Sequence, residues 1–180
     1  EFEQYEMKQA IKKAKVGMEA DCEREVIEPK KSTLSFEAVT LDTKEKLETV
    51  INAIDSDTIV AFDTETTGLD TKVAKMVGFS FCTATDKAYY VPIGHSYLGV
   101  EDQVNLEDAL NALKKLLTHK IVGQNLKFDF SLLCNQYDFK EILPYADTMI
   151  MAWLSDPGSK VGLDALAKKF FKYEMKPFKE

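Results

Sequence analysis

Two carboxylates close an otherwise apolar run. The stretch Ile59-Val-Ala-Phe-Asp-Thr-Glu-Thr-Thr-Gly-Leu-Asp70 carries Asp63 and Glu65 two residues apart. If the run is a β-strand, side chains at i and i+2 leave the same face, so the two acids project together and their charges repel. Two acids held within about 4 Å in interior-like surroundings cost several kcal/mol unless a cation lies between them. A hard divalent ion bound through oxygen, Mg²⁺ or Mn²⁺, meets that need. A DxE pair alone is short enough to arise by chance, and the plain alternative is a strand end fraying into a polar turn. Further along, Val122-Gly-Gln-Asn-Leu-Lys-Phe-Asp129 ends a short strand and opens a helix, with Asn125 and Asp129 one turn apart on one helical face. A third acid thus stands at a strand's carboxyl end, where ligand sites of α/β sheets tend to lie, although a lone helical acid is ordinarily solvated.

The elements that must position these residues follow from periodicity. Leu34–Leu41 alternates as a strand, and the segment after it reads as a helix with Asp42 as N-cap, Glu45 in the capping-box position, and Leu47, Val50, Ile51 and Ile54 on one face. The β-branched run Thr58–Phe62, the run Lys75–Ala84 and the run Lys87–Ile93 read as three strands of an antiparallel meander. A helix capped by Asn105 presents Leu106, Ala109, Leu110, Leu113, Leu116 and Leu117, and leads into the short strand at Lys120. A helix between strands favours a parallel crossover. Three helices follow, the last two starting at Asp147 and Gly162. The expected order is β-α-βββ-α-β-α-α-α, an α/β fold whose mixed sheet of three antiparallel strands plus parallel strands is flanked by helices.

Composition narrows the function. The chain has 180 residues, 45% hydrophobic and 29% charged, which suits one well-packed domain with an added segment. Its 30 acids against 23 bases give a net charge of -7, which argues against broad phosphate-driven binding to duplex nucleic acid but leaves room for a small site that holds phosphate through metal ions. Cys22, Cys82 and Cys134 are odd in number and far apart, which supports neither a disulfide framework nor a zinc site. His95 and His119 lack metal spacing and read as structural or surface residues. No apolar run reaches bilayer-spanning length, so the expectation is a cytoplasmic protein with no membrane partner. Residues 1–31, dense in Glu and Lys and ending near Pro29, read as a charged helical linker, and a start without Met suggests a piece of something longer.

Taken together, Phe62-Asp-Thr-Glu-Thr-Thr-Gly-Leu-Asp70 followed at this distance by Val122-Gly-Gln-Asn-Leu-Lys-Phe-Asp129 resembles the 3′-5′ proofreading exonuclease domain of bacterial DNA polymerase I, in the DEDD exonuclease superfamily. The resemblance extends over Ala88–Gly99, Tyr145–Pro157 and Gly162–Phe171, so it covers roughly Leu34 to Phe171. It implies a ribonuclease H-like fold over residues 32–180 and hydrolysis of a single-stranded DNA 3′ end to 5′-mononucleotides with two divalent metal ions, Mg or Mn. Asp63 and Glu65 would ligate the ion that activates the attacking water, Asp63 would bridge to the second, and Asp129 would help hold that second ion. Two such ions about 3.5 to 4 Å apart stabilise both attacking and leaving oxygens. By position Thr64 and Leu69 would contact the terminal nucleotide, with Asn125 and Phe128 shaping its pocket. Each also has a plain reading: Thr64 as a β-former, Leu69 and Phe128 as core, Asn125 as the cap of its helix.

One departure bears on activity. The family carries a fourth Asp with a Tyr four residues before it, and no YxxxD follows Asp147 in this sequence. Asp147 itself reads as an N-cap. The exonuclease domain is therefore expected to be incomplete at its C-terminus, with weak metal binding and little hydrolysis by these residues alone. A parent with a downstream polymerase domain, acting in replication and repair as a monomer, is the expectation that the resemblance brings. Two alternatives stand beside it: a non-catalytic spacer or single-strand-binding domain, and an RNA-directed exonuclease of the same superfamily.

Overall fold

A computed structural model describes residues 36–140 and 142–175, all within the unit Ser32–Glu180. The helix expected over residues 1–31 lies outside the described residues. Strand β1 (Glu37–Thr40) leads to helix α1 (Lys44–Asn52), and the meander follows as β2 (Ile59–Thr66), β3 (Met76–Cys82) and β4 (Lys87–Pro92). Helix α2 (Leu106–Leu116) crosses to β5 (Lys120–Gly123), and α3 (Leu126–Tyr137) crosses to the two-residue strand β6 (Ala146–Asp147). Helix α4 (Thr148–Ser155) and the short α5 (Leu163–Leu166) come last, α5 widening into a π-helical turn over Ala167–Phe171 that ends where Lys172 turns left-handed. The sheet order is β1-β4-β3-β2-β5-β6. β2, β3 and β4 pair antiparallel, while β1 with β4, β2 with β5 and β5 with β6 pair parallel.

The expected element order is therefore observed with one addition, β6, whose two residues are too few to carry a periodic signal. The first helix is capped one residue later than expected. Thr43 accepts from the Lys46 N–H at 3.3 Å, while Asp42 pairs with the Lys46 ammonium at 2.7 Å. Either oxygen can serve an N-terminus, and the extended conformation of Thr43 decides which one does. Asn105 caps α2 as expected, accepting from the Asp108 N–H at 2.9 Å, although Leu106 remains exposed beside the buried Ala109, Ala112, Leu113 and Leu116.

Alternation along the strands sorts their side chains into a buried and an open face. Phe62 and Thr64 of β2 lie across from Phe81 and Phe79 of β3, and these lie across from Tyr89 and Val91 of β4. The three phenylalanines pack ring to ring, with centroids 6.1 and 6.3 Å apart. Leu47 and Ile51 of α1, Leu113 and Leu116 of α2, and Leu126, Leu132 and Leu133 of α3 belong to the same core. Each large side chain buried there contributes about 1.5 to 3 kcal/mol. Gly123 ends β5 where a Cβ would stand 2.7 Å from the Phe62 carbonyl oxygen and 2.5 Å from Leu126, so β5 and α3 close against β2 only because nothing larger is there.

Candidate functional site

The open face of the sheet holds the two acids of the opening motif. Asp63 lies across from Ser80, which lies across from Tyr90, and Glu65 lies across from Gly78, which lies across from Pro92. Directly opposed residues of an antiparallel pair share a face, so Asp63, Glu65, Ser80 and Tyr90 form one surface. The pairing register shifts between Glu65 and Thr66, a bulge at the point where the acidic strand end turns away. Small residues (Ala61, Ser80, Ala88 and Gly123) floor a cleft of about 440 Å³ beside Asp63, and Thr148 and Leu163 form part of its wall.

Asp129 reaches the same region from the first turn of α3. It is 2% exposed, and its Oδ1 accepts from the Thr64 N–H at 3.0 Å and from the Thr64 hydroxyl at 2.5 Å. Thr64, expected against the terminal nucleotide, is buried on the core face, and its hydroxyl is engaged by Asp129. In this structure it fastens α3 to the strand between the two acids.

The start of α3 is organised by Asp147. One of its oxygens accepts from the Asn125 N–H at 3.1 Å and the other from the Leu126 N–H at 2.8 Å. The same carboxylate caps α4 by accepting from Met149 at 2.9 Å and Ile150 at 3.3 Å. The N-cap reading of Asp147 is thus observed, and it extends to a second helix. Asn125 sits at the cap position of α3 in the left-handed region, φ 63°, with no side-chain cap bond. Its reading as a capping side chain is corrected: Asp147 supplies that cap from across the sheet, and the Asn125 side chain is exposed. Leu69 stands out of the turn after β2 at 90% exposure, so it is not core, and Phe128 is half-buried on α3. His95 is hydrogen-bonded to Tyr90, and His119 to the Leu116 carbonyl, as their structural reading implies.

Among the described residues, charge accumulates here without a paired counter-charge. Burial, followed by the charges of Asp129 and Glu65, pushes the Asp63 carboxyl up to about 6, against a smaller opposing effect of the Thr64 backbone. Burial also raises Asp129, and its two hydrogen bonds from Thr64 work against that rise. Among the described residues no ion pair involves Asp63, Glu65 or Asp129. Hard oxygen donors carrying excess negative charge suit Mg²⁺ or Mn²⁺, so the chemistry of the donor set fits the expected ions. The described residues nevertheless gather no three Asp, Glu, His or Cys side chains closely enough to enclose one.

Sequence reading passed over Tyr90, which shares the acids' face, and the brace that Asp147 makes to α3. Neither has a spacing signal, because both depend on which strands become neighbours.

Comparison with known proteins bears on this arrangement. Residues 38–178 match the family model described as 3′-5′ exonuclease. DNA polymerase I of Borreliella burgdorferi is 37% identical over 135 residues, covering 74% of this chain and 14% of that protein. DNA polymerase I of Pseudomonas aeruginosa is 39% identical over 117 residues, covering 62% of this chain and 13% of that protein. The chain thus spans about a seventh of the length of these curated relatives. Among solved structures, the EXO domain of Aedes aegypti Nibbler superposes with a TM-score of 0.60 at 12% identity, covering 81% of this chain and 74% of that one. Escherichia coli RNase D, an exoribonuclease involved in structured RNA processing, superposes with a TM-score of 0.55 at 16% identity, covering 79% of this chain and 35% of that one. These likenesses show a shared ribonuclease H-like fold, the mixed helix-flanked sheet expected from the sequence.

Proposed function

Because this chain belongs to the 3′-5′ exonuclease family and matches that part of DNA polymerase I, we propose that it hydrolyses the 3′-terminal phosphodiester of single-stranded DNA and releases 5′-mononucleotides. The observation that supports this best is the gathering of Asp63, Glu65 and Asp129 beside an open cleft, where burial first and then the charges of Asp129 and Glu65 raise the Asp63 carboxyl. A carboxylate perturbed by desolvation and by specific charged neighbours in a cleft is a functional-site candidate.

Asp63 and Glu65 are the residues that would hold divalent ions on the open face, with Asp129 holding its side of the site from α3. When bound, such ions neutralise the attacked phosphate and the leaving oxygen. The protein's own part is positional. Thr64 fixes Asp129, Asp147 fixes the start of the helix that carries it, and the small-residue floor leaves space for a sugar-phosphate beside Asp63. Leu69, exposed and apolar next to the acidic strand end, is suited to wedge against the terminal base, and Asn125 and Phe128 line its approach.

No YxxxD follows Asp147 within these 180 residues, so we propose that they bind metal weakly and hydrolyse slowly by themselves. The parent would carry a polymerase domain and act as a monomer in DNA replication and repair in the cytoplasm; no helix among the described residues is long and apolar enough to cross a membrane. The other reading, a non-catalytic single-strand-binding spacer, differs in that the strand would be bound without release of nucleotides.

The test is mononucleotide release from a 3′-labelled single-stranded oligonucleotide with Mg²⁺ or Mn²⁺, using this chain and one prolonged to include a YxxxD segment. Matched DNA and RNA substrates separate the two nucleic acids, since the 2′-hydroxyl is what a site can distinguish. Activity on DNA in the prolonged chain that disappears with Asp63→Ala supports the proposal. Binding of the strand without release in either chain establishes the spacer instead.

A further inference from the structure

Tyr90 occupies a place on the open face that a side chain at Gly78 would otherwise fill. A Cβ built on Gly78 would overlap the Tyr90 phenol oxygen, so the hydroxyl end of the ring lies over that glycine. Gly78 is the direct cross-strand partner of Glu65. Opposed residues in an antiparallel pair project to one face, with Cα atoms about 4.5 to 5.5 Å apart. The Tyr90 hydroxyl therefore stands one strand spacing from the Glu65 backbone, on the side where the Glu65 carboxylate extends. Burial raises the Tyr90 phenol, and the nearby Glu65 charge raises it further, in agreement with that placement.

The phenol is itself held. His95 Nε2 is 2.5 Å from the Tyr90 hydroxyl oxygen. Gln103 clamps the His95 backbone on both sides of its Cα, accepting from the His95 N–H at 2.7 Å and donating to the His95 carbonyl at 3.0 Å. With the ring proton on Nε2, His95 donates to the phenol oxygen and the Tyr90 O–H is left to turn toward Glu65. A glycine that leaves room for the phenol, a histidine aimed at the phenol and a glutamine that fixes the histidine together form a brace on the acid's side of the sheet.

We infer that Tyr90, braced by His95 and Gln103, is a positioning residue for Glu65: its hydroxyl donates to one carboxylate oxygen and so fixes which oxygen faces the cleft. The inference rests on the proposed role of Glu65 in holding a divalent ion. Partners that orient a ligating carboxylate typically change metal affinity by about 10 to 100-fold when removed.

The experiment is Mn²⁺ binding to the full 180-residue chain by electron paramagnetic resonance, with thermal unfolding of each metal-free variant alongside. Tyr90→Phe is expected to weaken Mn²⁺ about tenfold while its metal-free unfolding midpoint stays near that of the parent chain. In a Glu65→Gln background the same substitution is expected to do nothing more, because its route to the metal is gone. His95→Gln, which loosens the brace and leaves Tyr90 in place, is expected to weaken binding in the same direction but less. Unchanged binding in Tyr90→Phe, or an equal loss with and without Glu65, overturns the inference. Asp63→Ala is the separate control: if it leaves Mn²⁺ binding intact, the metal-site reading beneath this inference fails, whatever Tyr90 does.

Discussion

Replacing Thr64 by valine removes one hydroxyl and almost no volume, and the consequence follows from how Asp129 is held. Asp129 is 2% exposed and Thr64 is 8% exposed, so water does not substitute for the lost donor. The Thr64 N–H still reaches Asp129 Oδ1 at 3.0 Å, so the carboxylate keeps one of its two bonds from this residue. A hydrogen bond to a charged group contributes about 1.5 to 3 kcal/mol, and Thr64→Val is expected to destabilise the fold by about 2 kcal/mol near neutral pH. For a domain of this size that is a fall of about 4 to 8 °C in unfolding midpoint. The sign of the pH dependence can be worked out. Asp129 is already raised by burial, and the Thr64 bonds oppose that rise. Losing the hydroxyl raises the folded-state pKa further above the unfolded value. A group raised on folding contributes stability below its unfolded pKa and loses it as pH climbs through the folded one. The deficit of the valine variant should therefore be largest at about pH 8. It should shrink toward the ~1 kcal/mol of a neutral hydrogen bond as acid protonates Asp129. Urea unfolding of both proteins from about pH 8 down to the lowest pH at which both stay folded measures it. A deficit that is constant across this range, or larger in acid, refutes the account of Asp129 as a buried carboxylate held by Thr64.

Asp63→Asn should separate stability from activity. A carboxyl raised to about 6 is stabilising when protonated, and its ionisation above that pH costs at most ~3 kcal/mol. Asp63 still meets solvent, and screening reduces this to ~1 kcal/mol. The asparagine variant should thus unfold later than the parent at about pH 8, match it near pH 4, and abolish nucleotide release in the chain prolonged to include a YxxxD segment; equal midpoints at both pH values would sink the argument. Asp147→Ala strips a buried acceptor from four backbone N–H groups at two helix starts. With ~1 kcal/mol per cap and further desolvation, a loss of about 2 to 4 kcal/mol in urea unfolding is expected, and a change under 1 kcal/mol would contradict it. Leu69→Ala, at a position 90% exposed, should leave stability within about 0.5 kcal/mol while weakening single-strand binding in a fluorescence anisotropy titration. Unaltered binding would remove Leu69 from the nucleotide site.

The sequence by itself determined the elements and the shared face of Asp63 and Glu65. Both rest on local periodicity: a period of two puts residues 63 and 65 on one side of β2 whatever the strand's neighbours are. The Asn105 and Asp147 caps were legible for the same reason, since a short polar side chain at a helix start finds its donors within three residues. Tertiary structure decided what depends on pairing. The order β1-β4-β3-β2-β5-β6 brought Tyr90 across from Ser80 and over Gly78 beside Glu65, a neighbourhood that no spacing in the chain encodes. It also made Thr64 the fastening of Asp129, and gave the capping of α3 to Asp147 rather than Asn125. Those assignments depend on donors and acceptors about 20 to 65 positions apart in the chain, and only the closed sheet sets their distances.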